Sequence, residues 1–147
     1  MKGKKYMQKK VLFICQHNSG RSLMAEAYLK KMGGDNFVVE SAGFEPAEAA
    51  NALVVAVMKE EGIDLSAKKP QSVFELFKSG RLFDVVITVC ADTEDKCPVF
   101  PGIAKRLHVP FSDPSAVGGS PEEKLAAVRV IRNQIKEWLP DIINATH

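Results

Sequence analysis

Near the amino terminus, Cys15-Gln16-His17-Asn18-Ser19-Gly20-Arg21-Ser22 sets a cysteine, five residues and then an arginine. A thiolate is a strong nucleophile, and a guanidinium forks two hydrogen bonds onto one tetrahedral oxyanion. The residues between them supply backbone N–H groups. Where such a loop opens a helix, those groups point inward and bind an anion at the positive end of the helix. Gln16, His17, Asn18, Ser19 and Gly20 therefore form, with Arg21, a candidate oxyanion cradle, and Cys15 is its nucleophile. The same positive surroundings favour the Cys15 thiolate, and the Ser22 hydroxyl comes within reach of the sulfur. Two more cysteines, Cys90 and Cys97, stand seven apart with a polar, acidic stretch between them. Tight Cys-x-x-Cys spacing is absent, which argues against a zinc knuckle or a thioredoxin-type redox site. His17, His108 and His147 show no metal-ligand spacing either, so no metal is expected, and chemistry carried by thiols needs no bound organic cofactor.

These residues need elements to position them. Lys9 to Cys15 is a short apolar run and predicts a buried strand that ends on the nucleophile. Ser22 to Met32 is made of helix formers and stops at Gly33-Gly34. Phe37 to Ser41 predicts a second strand. Ala50, Leu53, Val54, Val57 and Met58 keep helical spacing, and Gly62 closes that helix. Ser72 to Lys78 predicts a short helix, Asp84 to Val89 a central β-branched strand, and Arg106 to Val109 a strand stopped by Pro110. The last helix starts with Ser120 as N-cap, Pro121 in first position and Glu123 completing a capping box. Its apolar stripe is Leu125, Val128, Ile131, Ile135 and Leu139. Strands alternating with helices imply right-handed crossovers and a parallel sheet with helices on both faces. Ligands of such sheets bind beyond the carboxyl ends of the strands, where Cys15 and Cys90 both fall.

The 147 residues make one α/β domain, with residues 1–8 a flexible basic tail and 9–147 the folded part. A net charge of +2 from 20 basic and 18 acidic residues argues against a nucleic-acid protein. Lys2, Lys4, Lys5, Lys9 and Lys10 cluster ahead of the first strand, but His17, Asn18 and Arg21 interrupt the apolar run that a signal peptide would need. No run has the length of a membrane span, so a cytoplasmic chain is expected. Three cysteines in that compartment do not make a disulfide framework; they are buried, metal-binding or reactive.

The loop is similar to the Cys-x-Gly-Asn-x-x-Arg-Ser string of low-molecular-weight protein tyrosine phosphatases and thioredoxin-coupled arsenate reductases. Met24-Ala25-Glu26 and Ser41-Ala42-Gly43 also resemble this superfamily, and the likeness runs from about Val11 to the last helix. It implies a single-domain, four-stranded parallel sheet flanked by helices. One departure is His17, which stands where the family usually has glycine. A positive φ there would strain it, and its ring could face the anion or solvent.

In the thioredoxin-coupled branch the nucleophile is relayed to two cysteines separated as Cys90 and Cys97 are. Asp113, in Phe111-Ser112-Asp113-Pro114, matches the Asp-Pro general acid of the superfamily. Phosphatases of this class carry aromatics soon after that pair. Here Ser115-Ala116-Val117-Gly118-Gly119 follows, which suits a small inorganic oxyanion. The resemblance thus implies arsenate reduction: Cys15 attacks, Cys90 and then Cys97 resolve, and thioredoxin reduces the last disulfide, in a monomer. A phosphatase acting on phosphate monoesters and a non-catalytic thiol sensor or arsenic-binding module stay open as alternatives. Some members of the superfamily bind potassium through positions matching Asn18, Glu26 and Ser41. The acidic residue that would complete that set is not evident in Lys68-Lys69-Pro70-Gln71, so the expectation of no metal stands.

Overall fold

The computed structural model describes residues 8–90 and 105–145. Four parallel strands, β1 (Lys9–Cys15), β2 (Phe37–Gly43), β3 (Val85–Thr88) and β4 (Lys105–His108), form one sheet in the order β2-β1-β3-β4. The first half of the chain adds α1 (Arg21–Gly33), α2 (Ala52–Lys59) and α3 (Val73–Lys78), and α4 (Pro121–Ala145) follows the last strand. This is the expected α/β architecture. The expected basic tail lies outside the described residues, apart from Gln8, and so does Cys97.

β1 is central, paired with β2 from Lys9↔Phe37 to Cys15↔Gly43 and with β3 from Val11↔Val85 to Ile14↔Thr88. It must therefore be apolar on both sides, and Val11 to Ile14 are fully buried. The two-residue period of the strand divides them. Val11, Phe13 and Cys15 join α1, α2 and α4 in one core, whereas Leu12 and Ile14 join Val73 and Leu76 of α3 in another. Helices thus cover both faces.

Local chemistry sets the helix ends. α2 begins at Ala52 because the Asn51 carboxamide oxygen accepts from the N–H groups of Leu53 and Val54, at 2.8 and 3.2 Å. Ala50, expected inside this helix, precedes the cap. Ser72 caps α3 in the same way. The capping box of α4 is complete: Glu123 N–H donates to Ser120 Oγ at 3.1 Å, and Ser120 N–H to Glu123 Oε1 at 2.8 Å. α4 runs on through Pro140. Arg132 clasps α4 to α2, donating to the Val57 carbonyl and to Glu60. Hydrogen bonds from Arg129 and Arg132 hold the Glu60 carboxyl far below its ordinary range, at about 2.

Candidate active site

β1 delivers Cys15 to the carboxyl edge of the sheet, 2% exposed. The next five residues wrap around the start of α1. Their carbonyls are drawn outward: Phe44 N–H donates to Cys15 O, Glu45 N–H to Gln16 O, Ala47 N–H to His17 O and Asn51 N–H to Ser19 O, at 2.8–3.3 Å. Among the described residues, no side chain or carbonyl accepts from the N–H groups of Gln16 to Gly20. α1 itself starts at Gly20 with no side-chain cap and no acid in its first turn. The amino end of a helix and a loop with inward N–H groups therefore converge on one spot, which is the construction of an anion site.

Side chains fix the nucleophile within this loop. Ser22 Oγ lies 2.9 Å from Cys15 Sγ. Asn18 Nδ2 donates to Ser22 Oγ at 2.8 Å, and Asn18 Oδ1 accepts from Gln71 N–H at 2.9 Å. Asn18 is fully buried and adopts φ +50°, the loop's one left-handed residue. The strain anticipated at His17 thus falls one position later, on a residue type that tolerates it. The loop passes tightly over β2: a Cβ on Gly43 would stand 2.7 Å from Asn18 N and 2.9 Å from Gln16 O.

Behind the loop, Glu26 is 3% exposed and receives Ser41 Oγ on one oxygen at 2.5 Å. Its other oxygen takes two ammonium groups, Lys68 at 2.7 Å and Lys30 at 2.8 Å. Gln71 Nε2 donates to the Ser41 carbonyl, which links this pair to Asn18, Ser22 and Cys15. Two lysine side chains thus supply the positive charge at this buried carboxylate. No group of histidine, cysteine or acidic residues fit for a metal ion occurs among the described residues.

Arg21 is 7% exposed, its guanidinium donating to the Phe111 carbonyl at 3.0 Å and lying 3.7 Å from Asp113 Oδ2. Asp113 caps a short 3-10 turn, 114–116, accepting from Ser115 N–H at 2.9 Å and Ser115 Oγ at 2.8 Å. Partial burial pushes its carboxyl up, but the Ser115 hydrogen bonds and the charges of Arg21 and His17 outweigh burial and leave it below the ordinary aspartate value. In the free site these contacts favour the carboxylate form of Asp113.

His17, Ser19, Gly20, Arg21, Asn51, Asp113, Pro114 and Ser115 line the resulting cleft. His17 is exposed, and its Nδ1 meets the Glu45 carbonyl at 2.9 Å. Gln16 leans outward to Glu45 Oε1 at 2.6 Å. Cys90 follows β3, the neighbour of β1, and is 3% exposed; neither Cys15 nor Cys90 is in a disulfide. The structure therefore brings Arg21 and Asp113 together in one cleft, keeps Cys15 and Ser22 paired and buried at the two ends of the loop that lines it, and sets Cys90 at the adjoining strand end. Sequence reading missed Asn51, Gln71 and Lys68. Only Asn51 left a signal, an asparagine just before an apolar helical run.

A thiol at the end of a parallel strand, an outward-bonded loop and an arginine define a cysteine-dependent oxyanion site of the phosphatase type. The chain belongs to the low molecular weight phosphotyrosine protein phosphatase family, whose pattern matches residues 10–141. It is 41% identical over 130 residues to the arsenate reductase of Bacillus licheniformis, covering 88% of this chain and 91% of that one. Among solved structures it resembles an arsenate reductase in its reduced state, with TM-score 0.76, 28% identity and coverage of 95% of this chain and 100% of that one. A thioredoxin-dependent arsenate reductase of Corynebacterium glutamicum matches with TM-score 0.67 and 29% identity, over 94% of this chain and 63% of that one.

Proposed function

We propose that this protein reduces arsenate to arsenite in the cytoplasm by a three-cysteine relay that thioredoxin resets. The observation that carries this reading is the pair of buried cysteines, Cys15 and Cys90, at the carboxyl ends of adjacent strands beside an oxyanion loop. A phosphatase needs only the first. Relatives named as arsenate reductases across nearly the whole chain support it further.

In this mechanism the loop N–H groups and Arg21 hold arsenate against Cys15. The thiolate attacks arsenic, Ser22 Oγ and Asn18 steady the sulfur, and an arsenic–oxygen bond breaks as Asp113 delivers a proton so that water leaves. Cys90 then attacks Cys15 Sγ. The sulfur–arsenic bonding pair passes to arsenic, which departs as arsenite, two electrons richer, and a Cys15–Cys90 disulfide remains. Cys97 attacks Cys90 Sγ and frees Cys15, and the dithiol of thioredoxin reduces the Cys90–Cys97 disulfide by exchange. The family itself favours a second reading, hydrolysis of phosphate monoesters with water in place of Cys90.

Arsenate turnover with thioredoxin, compared with glutathione and glutaredoxin, tests the proposal. Turnover with thioredoxin alone is expected. Equal rates with glutathione and glutaredoxin would refute the relay, and hydrolysis of a phosphate ester without arsenite release would favour the second reading.

A further inference from the structure

The site holds one donor that neither the loop nor Arg21 accounts for. Asn51 lines the cleft beside Arg21 and Asp113. Its orientation is settled by chemistry, because Leu53 N–H and Val54 N–H both donate to one side-chain atom, which must be the carboxamide oxygen. The side-chain polar atom that the cap leaves unused at this cleft residue is Nδ2. Among the described residues no acceptor takes its two N–H groups, and no buried side-chain nitrogen or oxygen there lacks a partner, so Nδ2 is open to solvent. Asn51 is also tied to the loop itself, its backbone N–H donating to the Ser19 carbonyl at 2.8 Å. Cap and loop contact together lock an amide donor beside the anion position, with little motion left to lose on binding.

We propose that Asn51 is a specificity-determining residue: its Nδ2 donates to the fourth oxygen of the bound oxyanion, the one that projects out of the loop. A tetrahedral anion seated in the loop gives three oxygens to the N–H groups and Arg21. The fourth points to the mouth, between Asn51 and Asp113. In arsenate or inorganic phosphate that atom is a free oxygen able to accept. In an ester or phosphonate an organic substituent holds the position and Nδ2 loses its acceptor, so the unpaired donor disfavours the substituted anion. The inference rests on the oxyanion reading above and assigns it a basis for choosing inorganic anions over esters.

The test uses ligands that undergo no reaction. Kd is measured by isothermal titration for inorganic phosphate and for phenylphosphonate, where carbon takes the fourth position, in wild type, Asn51→Ser and Asn51→Asp. Serine and aspartate both cap helices, so α2 is retained, and unchanged thermal midpoints verify this. Asn51→Ser is expected to weaken phosphate binding about tenfold or more, the worth of a hydrogen bond to a charged acceptor, and phenylphosphonate binding by less than threefold. Asn51→Asp should weaken phosphate further by repulsion. An unchanged phosphate Kd in Asn51→Ser, or equal losses for the two ligands, overturns the inference and leaves the oxyanion site standing. Failure of the wild type to bind either ligand overturns both.

Discussion

Replacing Gly43 with alanine tests whether the loop's position, rather than its residue list, makes the site work. Gly43 ends β2 directly beneath the loop, and an added Cβ would meet Asn18 N at 2.7 Å, Gln16 O at 2.9 Å and the His17 carbonyl carbon at 2.9 Å. All three are backbone atoms, so no side-chain rotation relieves them. Ordinary contact begins at 3.4 Å, and 3.4 minus 2.7 requires a retreat of about 0.7 Å. Overpacking of this kind costs about 1–3 kcal/mol of stability. The functional loss should be larger, because a misplacement near 1 Å in a catalytic array costs about 100-fold. We expect kcat/KM for arsenate to fall by about 30- to 100-fold in Gly43→Ala with the protein still folded. Gly62→Ala is the control: at φ +76° with no atom within 4 Å it incurs backbone strain of about 1–2 kcal/mol far from the loop. Steady-state rates, thermal midpoints and phosphate binding would be measured on both. If Gly43→Ala kept kcat/KM within threefold of the Gly62→Ala value, the close approach of loop and β2 would not govern the site.

Three further outcomes follow from other contacts. In Cys97→Ser a single burst of one arsenite per chain should survive while steady-state turnover collapses. Peptide mapping should find Cys15 joined to Cys90, and full thioredoxin-coupled turnover would refute the relay. Lys68→Met leaves the buried Glu26 carboxylate with Lys30 and Ser41, and should lower stability by about 1–2 kcal/mol. Potassium chloride should restore part of that loss relative to choline chloride; restoration absent here, or an equal gain in wild type, would show that Lys68 does not stand in for a cation. Ser115→Ala removes the hydroxyl hydrogen bond to the Asp113 carboxylate, leaves the backbone N–H one, and should raise its titration part of the way toward the ordinary value, read from carboxyl carbon shifts. The sign follows from the depressed folded value: the ionised form favours folding above the unfolded pKa, and that benefit is lost as pH falls through the folded one. The variant should therefore lose its Asp113 contribution at a higher pH than wild type, and an unmoved titration would contradict the assigned partners.

Periodicity and punctuation made most of the fold legible. Val11 to Ile14 are apolar without alternation because β1 is covered on both faces, and that run alone placed a buried strand. Ser120 and Glu123 announced α4 because a capping box is entirely local. Ala50 was misplaced because apolar spacing ignores which neighbour caps, and Asn51 caps the amino end one residue later. The site divides in the same way. Cys15, Arg21 and Ser22 lie within one loop, so spacing sufficed. Lys68 and Gln71 lie 53 and 56 residues from Cys15 and reach Glu26 of α1 and Asn18 of the loop only after β2 has paired with β1; no pattern along the chain signals that. His17 shows the limit of matching by position. The left-handed residue is Asn18, whose side chain is spanned between Gln71 N–H and Ser22 Oγ, so backbone conformation there is set by a tertiary contact.

The free site also explains how an anion can enter without an opening motion. Arg21 holds the Phe111 carbonyl at 3.0 Å, a true hydrogen bond, yet stands 3.7 Å from Asp113, too far for one. The first contact fixes where the guanidinium sits. The second is an ion pair with a carboxylate that is 40% exposed, so separating it forfeits little. An arriving oxyanion can therefore take the N–H groups turned toward Asp113 while Arg21 keeps its grip on Phe111. As the anion's charge replaces that of Asp113 beside Arg21, the carboxyl group loses a stabilising neighbour and gains a repelling one, and its proton affinity rises. Ser115, which opposes that rise, stays bound through both of its donors. On the mechanism proposed above, binding thus prepares the acid that the departing oxygen requires.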